Sequence, residues 1–120
     1  MKGVVNMCGI AGMVGLHSDS ELQDKMLGTM KRRGPDGSGI FQKEECCLLH
    51  SRLAIIDPDG GAQPMHLNWD NESYTIVYNG ELYNTQEIKE QLLKCGHVLH
   101  SNSDTEVVLH AYAQWKESCL

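Results

Sequence analysis

Positive charge is scarce in this sequence. Its 120 residues hold ten lysines and arginines against sixteen aspartates and glutamates, a net charge of -6, and no basic block exceeds Lys31, Arg32, Arg33. Phosphate binding needs a positive field, so no nucleic-acid partner is expected. Long apolar runs are missing too. A bilayer crossing takes roughly 18 to 20 apolar residues, and the first residues lack a signal peptide's apolar core and small-residue cleavage site. No membrane is expected, and the cytoplasm is the expected location. Five cysteines, an odd number, suit a reducing compartment better than a disulfide scaffold. Cys46, Cys47 and His50 lie close together, but adjacent cysteines chelate poorly and no second pair stands at zinc spacing. The expectation there is alternating faces of a strand, with no metal. No glycine-rich phosphate loop joins a strand to a helix, which argues against a doubly wound fold.

What is present is globular: 41% hydrophobic and 22% charged residues supply one core and no second, hence one domain or part of one. Residues 9–15 (GIAGMVG) read as a first strand whose small residues allow close backbone packing. Ser18 and Glu21 have capping-box spacing ahead of a helix with Leu22, Met26, Leu27 and Met30 on one face and Gly34 as its end. The string GPDGSG at 34–39 reads as a turn, 39–43 and 46–56 as strands, and the stretch through Pro58, Gly60, Gly61 and Pro64 as a polar loop. Tyr74 to Tyr78 (YTIVY) is the strongest strand signal. Asn84 with Glu87 predicts a second helix with Ile88, Leu92 and Leu93 inward and Gly96 as its stop. Ser103 with Glu106 predicts a third, using Val107, Val108, Ala111, Tyr112 and Trp115. One apolar stripe per helix suits an outer layer on sheets, so the class is α+β with a largely antiparallel sheet.

Four places carry residues with chemistry in them. Cys8, in MCGIAG, is either a small buried hydrophobe or a nucleophile. Were it the first residue, its own α-amine, of ordinary pKa about 7.7 to 8.0, would lie within reach of the thiol as a base. Asn79 and Gly80 place an amide donor and a flexible backbone N–H at a strand end, as an oxyanion hole requires. The same pair also suits a hairpin turn, although a helix signal rather than a partner strand follows. Arg52, among apolar residues in HSRLAIID, suits bidentate capture of a carboxylate or a surface ion pair. Asp104, at a helix start, suits an ammonium group or the helix dipole.

Taken together, MCGIAG at 7–12, RRGPDGSG at 32–39, HSRLAIIDPDGGAQPM at 50–65, YNGELYN at 78–84 and SDTEVVLHAY at 103–112 resemble the glutaminase domain of glutamine-dependent asparagine synthetase. The opening string is common to class II glutamine amidotransferases, whereas RLAIID with GAQPM and NGELYN looks like the asparagine synthetase branch. The resemblance implies an N-terminal-nucleophile (Ntn) fold, an αββα sandwich of antiparallel sheets of which residues 8–120 form the N-terminal part. It implies Cys8 as nucleophile with its freed amine as base, Asn79 and Gly80 as oxyanion hole, Arg52 on the glutamine α-carboxylate, and Glu81 and Asp104 on the α-ammonium. It further implies that ammonia passes to a synthetase domain using aspartate, ATP and Mg2+. Nothing in this sequence resembles that domain's Ser-Gly-Gly-rich loop, so no cofactor is expected in this segment.

Two features depart from the family pattern. Met1 to Met7 (MKGVVNM) precede Cys8, and while that peptide bond stands the nitrogen is an amide and no base. Loss of a general base costs on the order of a hundredfold to ten-thousandfold. A start at Met7 with removal of that methionine, a cleaved propeptide, or an inactive protein would each account for the extension. The sequence also stops at Leu120, short of further strands expected of the sandwich, so the 120-residue chain is expected to be poorly stable or to aggregate. A non-catalytic truncated remnant or binding module, and the glutaminase of another class II amidotransferase, are the alternative readings.

Overall fold

The computed structural model describes residues 8–53 and 61–120. In order, these form β1 (Gly9–Val14), α1 (Ser20–Met30), β2 (Gly37–Lys43), β3 (Cys46–Arg52), β4 (Met65–Trp69), β5 (Glu72–Ile76), α2 (Thr85–Lys94) and α3 (Asp104–Trp115), with a 3-10 turn over Lys116–Cys119. β3 is the middle of a three-stranded antiparallel sheet ordered β1-β3-β2, and β4 pairs with β5 in an antiparallel hairpin. The expected α+β class with antiparallel sheets is what the chain adopts. None of the helices among the described residues is long and apolar enough to cross a membrane.

Alternation along β3 separates core from site. Successive side chains of a strand point to opposite faces, so Cys47 and Leu49 go one way, where they are fully buried with Met30 of α1 against Ala11, Met13, Met26 and Leu27. Leu48, His50 and Arg52 go the other way. Cys46 and Cys47 therefore face apart, as alternation predicts. On the far side of this sheet Phe41 meets His66 of β4, with ring centroids 5.3 Å apart. The opposite face of the β4–β5 hairpin carries Tyr74, edge-on to Tyr112 of α3, and Trp69, stacked at 3.6 Å on the buried His97 that precedes α3.

Several element boundaries differ from expectation for local reasons. α1 is capped by Asp19, whose carboxylate accepts from Leu22 N at 2.9 Å, and not by Ser18. Ser18 is buried instead and donates to Gln42 Oε1 at 2.7 Å. α1 ends at Met30, four residues before Gly34, and Leu22 on the predicted inner face is exposed. β2 begins at Gly37, inside the predicted turn, because the chain is already drawn to β3 by Asp36 N donating to Arg52 O at 2.9 Å. The predicted strand over 46–56 ends at Arg52; its residues 54–56, with Pro58 and Gly60 of the predicted loop, lie outside the described residues.

β4 begins directly after the expected loop, in a stretch for which no element was expected, and β5 starts and stops two residues earlier than YTIVY. The turn between them is Asp70–Asn71, both left-handed with φ of 51° and 62°, the two-residue geometry that matches strand twist. Aspartate and asparagine tolerate that region better than other residues bearing a Cβ. Asn79–Gly80, by contrast, lies in irregular chain after β5, so the hairpin alternative is not adopted there.

α2 starts after Asn84 as expected, though without a side-chain cap bond, and Leu93 points outward while Leu92 is fully buried. Its end is the predicted Gly96, at φ 92°, with His97 N bonded to Leu92 O and Gly96 N to Leu93 O. That is the paired carbonyl capping of a left-handed helix end. α3 is capped by Ser103 Oγ accepting from Thr105 N at 3.2 Å. Tyr112, predicted inward, is exposed, and Val108 is only half-buried. Glu106 does not reach back to Ser103. Its buried carboxylate accepts from His100 N, Ser101 N and Ser101 Oγ at 2.6–2.7 Å, pinning the loop that delivers Asp104.

Candidate active site

All six site residues expected from the sequence, Cys8, Arg52, Asn79, Gly80, Glu81 and Asp104, line one cavity of about 280 Å³. That lies near the lower end of small-molecule sites, roughly 300–1,000 Å³, and suits an amino acid. They come from four places: the residue before β1, the end of β3, the chain after β5, and the first residue of α3. Sequence separation hides this convergence and the sheet creates it.

Cys8 sits beside the chain leaving β3. Leu53 N donates to its sulfur at 3.2 Å, and the thiol lies 3.7 Å from Leu53 O. Asn79 Nδ2 donates to Cys8 O at 2.8 Å, tying the chain after β5 to the cysteine's own backbone. A primary amide has two N–H donors, so Asn79 keeps one for a ligand. Gly80 follows under the ring of Tyr78, where a Cβ would stand 2.8 Å from the phenol oxygen and 3.0 Å from Cζ.

The cavity is lined by charges of both signs. Asp104 accepts from Leu82 N at 3.0 Å and from Thr85 Oγ1 at 3.2 Å, which leaves two of a carboxylate's roughly four acceptor sites. Burial, then the negative charges of Asp104 and Glu81, push the Tyr78 phenol above its ordinary value, so it stays protonated. Arg52 supplies the positive charge. Burial holds His50 below its ordinary value, the Tyr78 backbone opposes this, and the charge of Arg52 adds to it. One cation and two acids lining one small cavity suit a zwitterion.

Arg52 is held in place by glycine. Gly34 packs so closely on the end of β3 that a Cβ there would stand 2.2 Å from Ser51 C and O and 2.5 Å from Arg52 N.

Two lining residues had no role in the sequence reading. Gln63 Oε1 accepts from Tyr78 N at 2.6 Å while its Nε2 donates to Thr105 Oγ1 at 3.0 Å, so one amide spans the cavity wall from the chain after β5 to α3. The glutamine lay in the string GAQPM with nothing local to mark it. His50 is 1% exposed and lies against the Tyr78 backbone, which raises its pKa as a hydrogen bond would, but neither ring nitrogen reaches full hydrogen-bond geometry with a described residue. An unpaired buried polar group costs about 1–3 kcal/mol. Its only sequence signal was the neighbourhood of Arg52, two residues on. Among the described residues no three His, Cys, Asp or Glu side chains stand together as metal ligands.

Comparison with known proteins follows the same lines. Residues 7–120 match the family described as glutamine amidotransferase domain. The chain is 42% identical over 118 residues to asparagine synthetase (glutamine-hydrolyzing) 3 of Bacillus subtilis (strain 168), covering 95% of this chain and 19% of that protein. It is 41% identical over 120 residues to asparagine synthetase (glutamine-hydrolyzing) of Sandersonia aurantiaca, covering 95% and 22%. To the probable asparagine synthetase (glutamine-hydrolyzing) of Dictyostelium discoideum it is 41% identical over 111 residues, covering 88% and 20%. The chain thus spans about a fifth of the length of these relatives.

Proposed function

The chain belongs to the glutamine amidotransferase domain family, and on that premise we propose that its cavity hydrolyses glutamine to glutamate and ammonia. The observation that carries this is the single cavity in which a thiol, neutral N–H donors, one cation and two acids meet. Glutamine needs that set: Arg52 for its α-carboxylate, Glu81 and Asp104 for its α-ammonium, and Cys8 with Asn79 and Gly80 for its side-chain amide.

In the proposed reaction the Cys8 sulfur bonds to the amide carbon and the thiol proton passes to the cysteine's α-amine. The oxyanion is met by the second Asn79 N–H and by Gly80 N–H. The amine returns the proton to the leaving nitrogen, the C–N bond breaks, ammonia departs and a glutamyl thioester remains. Water, deprotonated by the same amine, then cleaves the thioester to glutamate and free thiol. This requires the bond between Met7 and Cys8 to be absent in the active form. The helix, sheet, sheet, helix succession, with α1 on one outer face and α3 on the other, supports the Ntn αββα sandwich for residues 8–120.

In a longer protein of the relatives' kind, the ammonia would pass to a synthetase domain converting aspartate to asparagine, with ATP and Mg2+ acting there and the whole residing in the cytoplasm. No step above uses either cofactor.

The test is ammonia release from glutamine together with the intact mass of the native protein. Turnover is expected from chain beginning at Cys8, with a loss of at least about a thousandfold in Cys8→Ala. Full turnover in Cys8→Ala, or none in a chain whose first residue is Cys8, would sink the proposal. A mass that includes Met1 to Met7 in the native protein would favour the non-catalytic binding module.

A further inference from the structure

The proposed reaction gives Glu81 and Asp104 one shared task, the α-ammonium, and a residue outside the cavity lining ties together the two segments that bear them. Thr85 opens α2. Its hydroxyl stands 2.6 Å from Leu82 O and 3.2 Å from Asp104 Oδ1, while Asp104 Oδ2 accepts from Leu82 N at 3.0 Å. These contacts close a ring through Leu82, which directly follows Glu81, the first residue of α2 and the first residue of α3. We propose that Thr85 is a positioning residue for recognition of the substrate's α-ammonium, its hydroxyl holding Asp104 and the turn after Glu81 at one fixed spacing. This rests on the reading of the cavity as a glutamine site.

An aspartate carboxylate needs such a hold, because its terminal torsion is broad and no rotamer preference sets the plane of the two oxygens. One bond from Leu82 N leaves that plane free to turn. A second contact on the other oxygen stops it, and Thr85 is the side chain that makes it. The hydroxyl has one proton for two acceptors, Leu82 O and Asp104 Oδ1, and both lie on the segments to be joined. Neither contact serves its own helix: α2 has no side-chain cap bond. The thiol and the amide of Asn79 are fixed elsewhere, through Leu53 and Cys8 O, so loss of the hydroxyl should reach recognition of the amino group and spare the chemistry.

The experiment compares wild type, Thr85→Val and Thr85→Ser, all beginning at Cys8. Valine keeps the branching of threonine and removes the hydroxyl, whereas serine keeps the hydroxyl. KM for glutamine should rise about three- to tenfold in Thr85→Val, the size of one lost hydrogen bond, with kcat within about threefold. Thr85→Ser should stay within about twofold of wild type, since the donor is retained. Glutaramate, which is glutamine with hydrogen in place of the α-ammonium, should inhibit all three equally, because it brings nothing for the two acids to hold. An unchanged KM in Thr85→Val, a loss confined to kcat, an equal rise in Thr85→Ser, or inhibition by glutaramate that weakens alongside overturns the proposal.

Thr85 is half-buried at a helix start, and a lowered thermal midpoint with an unchanged KM marks a hydroxyl that serves only the fold. If Thr85→Val does not fold, Thr85→Ala, which also lacks the hydroxyl and favours helix, takes its place. If glutaramate does not inhibit wild type, the contrast in KM between the valine and serine variants decides alone. Wild type that neither hydrolyses glutamine nor is protected by it from thiol alkylation is a failure of the glutaminase reading itself, separate from either result.

Discussion

Asn79 illustrates how one side chain serves two purposes. One N–H fastens Cys8 O and, in the proposed reaction, the other meets the oxyanion, so Asn79→Ala should lower kcat by about a hundred- to thousandfold. KM for glutamine should change far less, because the interaction forms in the transition state; steady-state kinetics separates the two. Gly80→Ala should also be costly, since its Cβ would meet the Tyr78 ring at 2.8–3.0 Å and turn the backbone N–H away. A Gly80→Ala protein with wild-type kcat would show that this N–H is not used.

At the scale of elements, the end of β3 brings Arg52 and the start of α3 brings Asp104 to the cavity. Gly34→Ala must push the segment from Ser51 to Arg52 outward, and overpacking of this kind costs about 1–3 kcal/mol. The expected outcome is a lowered denaturation midpoint and a raised KM for glutamine. Ser103→Ala removes the cap of α3 and should cost about 1 kcal/mol in denaturant unfolding.

These elements also show how much could be read in advance. Two of the three helix starts, at Asn84 and Ser103, were legible from local residue spacing, although only Ser103 makes a side-chain cap bond. The third slipped by one residue because Ser18 found a partner in Gln42, on another strand. β4 escaped notice although MHLNW alternates as a half-buried strand does, because it is short and its turn uses Asp70–Asn71 rather than a glycine pair. The charged and nucleophilic site residues were legible by type. Gln63 and His50 were not, because what distinguishes them is who surrounds them in space.

The whole molecule should be acid-sensitive. His50 and His110 are both held below the ordinary value near 6.5 by burial; for His110 the neighbouring His97 adds to the effect and Glu106 opposes it. Groups with depressed folded values take up protons more readily when unfolded. The stability they supply is complete above about pH 6.5 and is lost as pH falls through their lower folded values. Glu106 behaves alike at lower pH: burial raises it, but hydrogen bonds from Ser101 and His100 and the charge of His110 outweigh that and hold it below 4.5. The thermal midpoint should therefore begin to fall as pH drops below about 6.5 and fall further below about 4.5. His50→Phe should flatten the first decline, and a midpoint independent of pH over that range would contradict these assignments.

Gln63 carries a consequence for recognition by size. With its oxygen on Tyr78 N and its nitrogen on Thr105 Oγ1, the separation of two walls is set by the span of one rigid carboxamide. The cavity is gauged, in the machinist's sense. Gln63→Asn, a methylene shorter, cannot reach both walls at the present spacing, and Gln63→Glu loses the donor on the α3 side. Each should blur the discrimination between glutamine and its homologues one methylene longer or shorter, measured as a ratio of kcat/KM values.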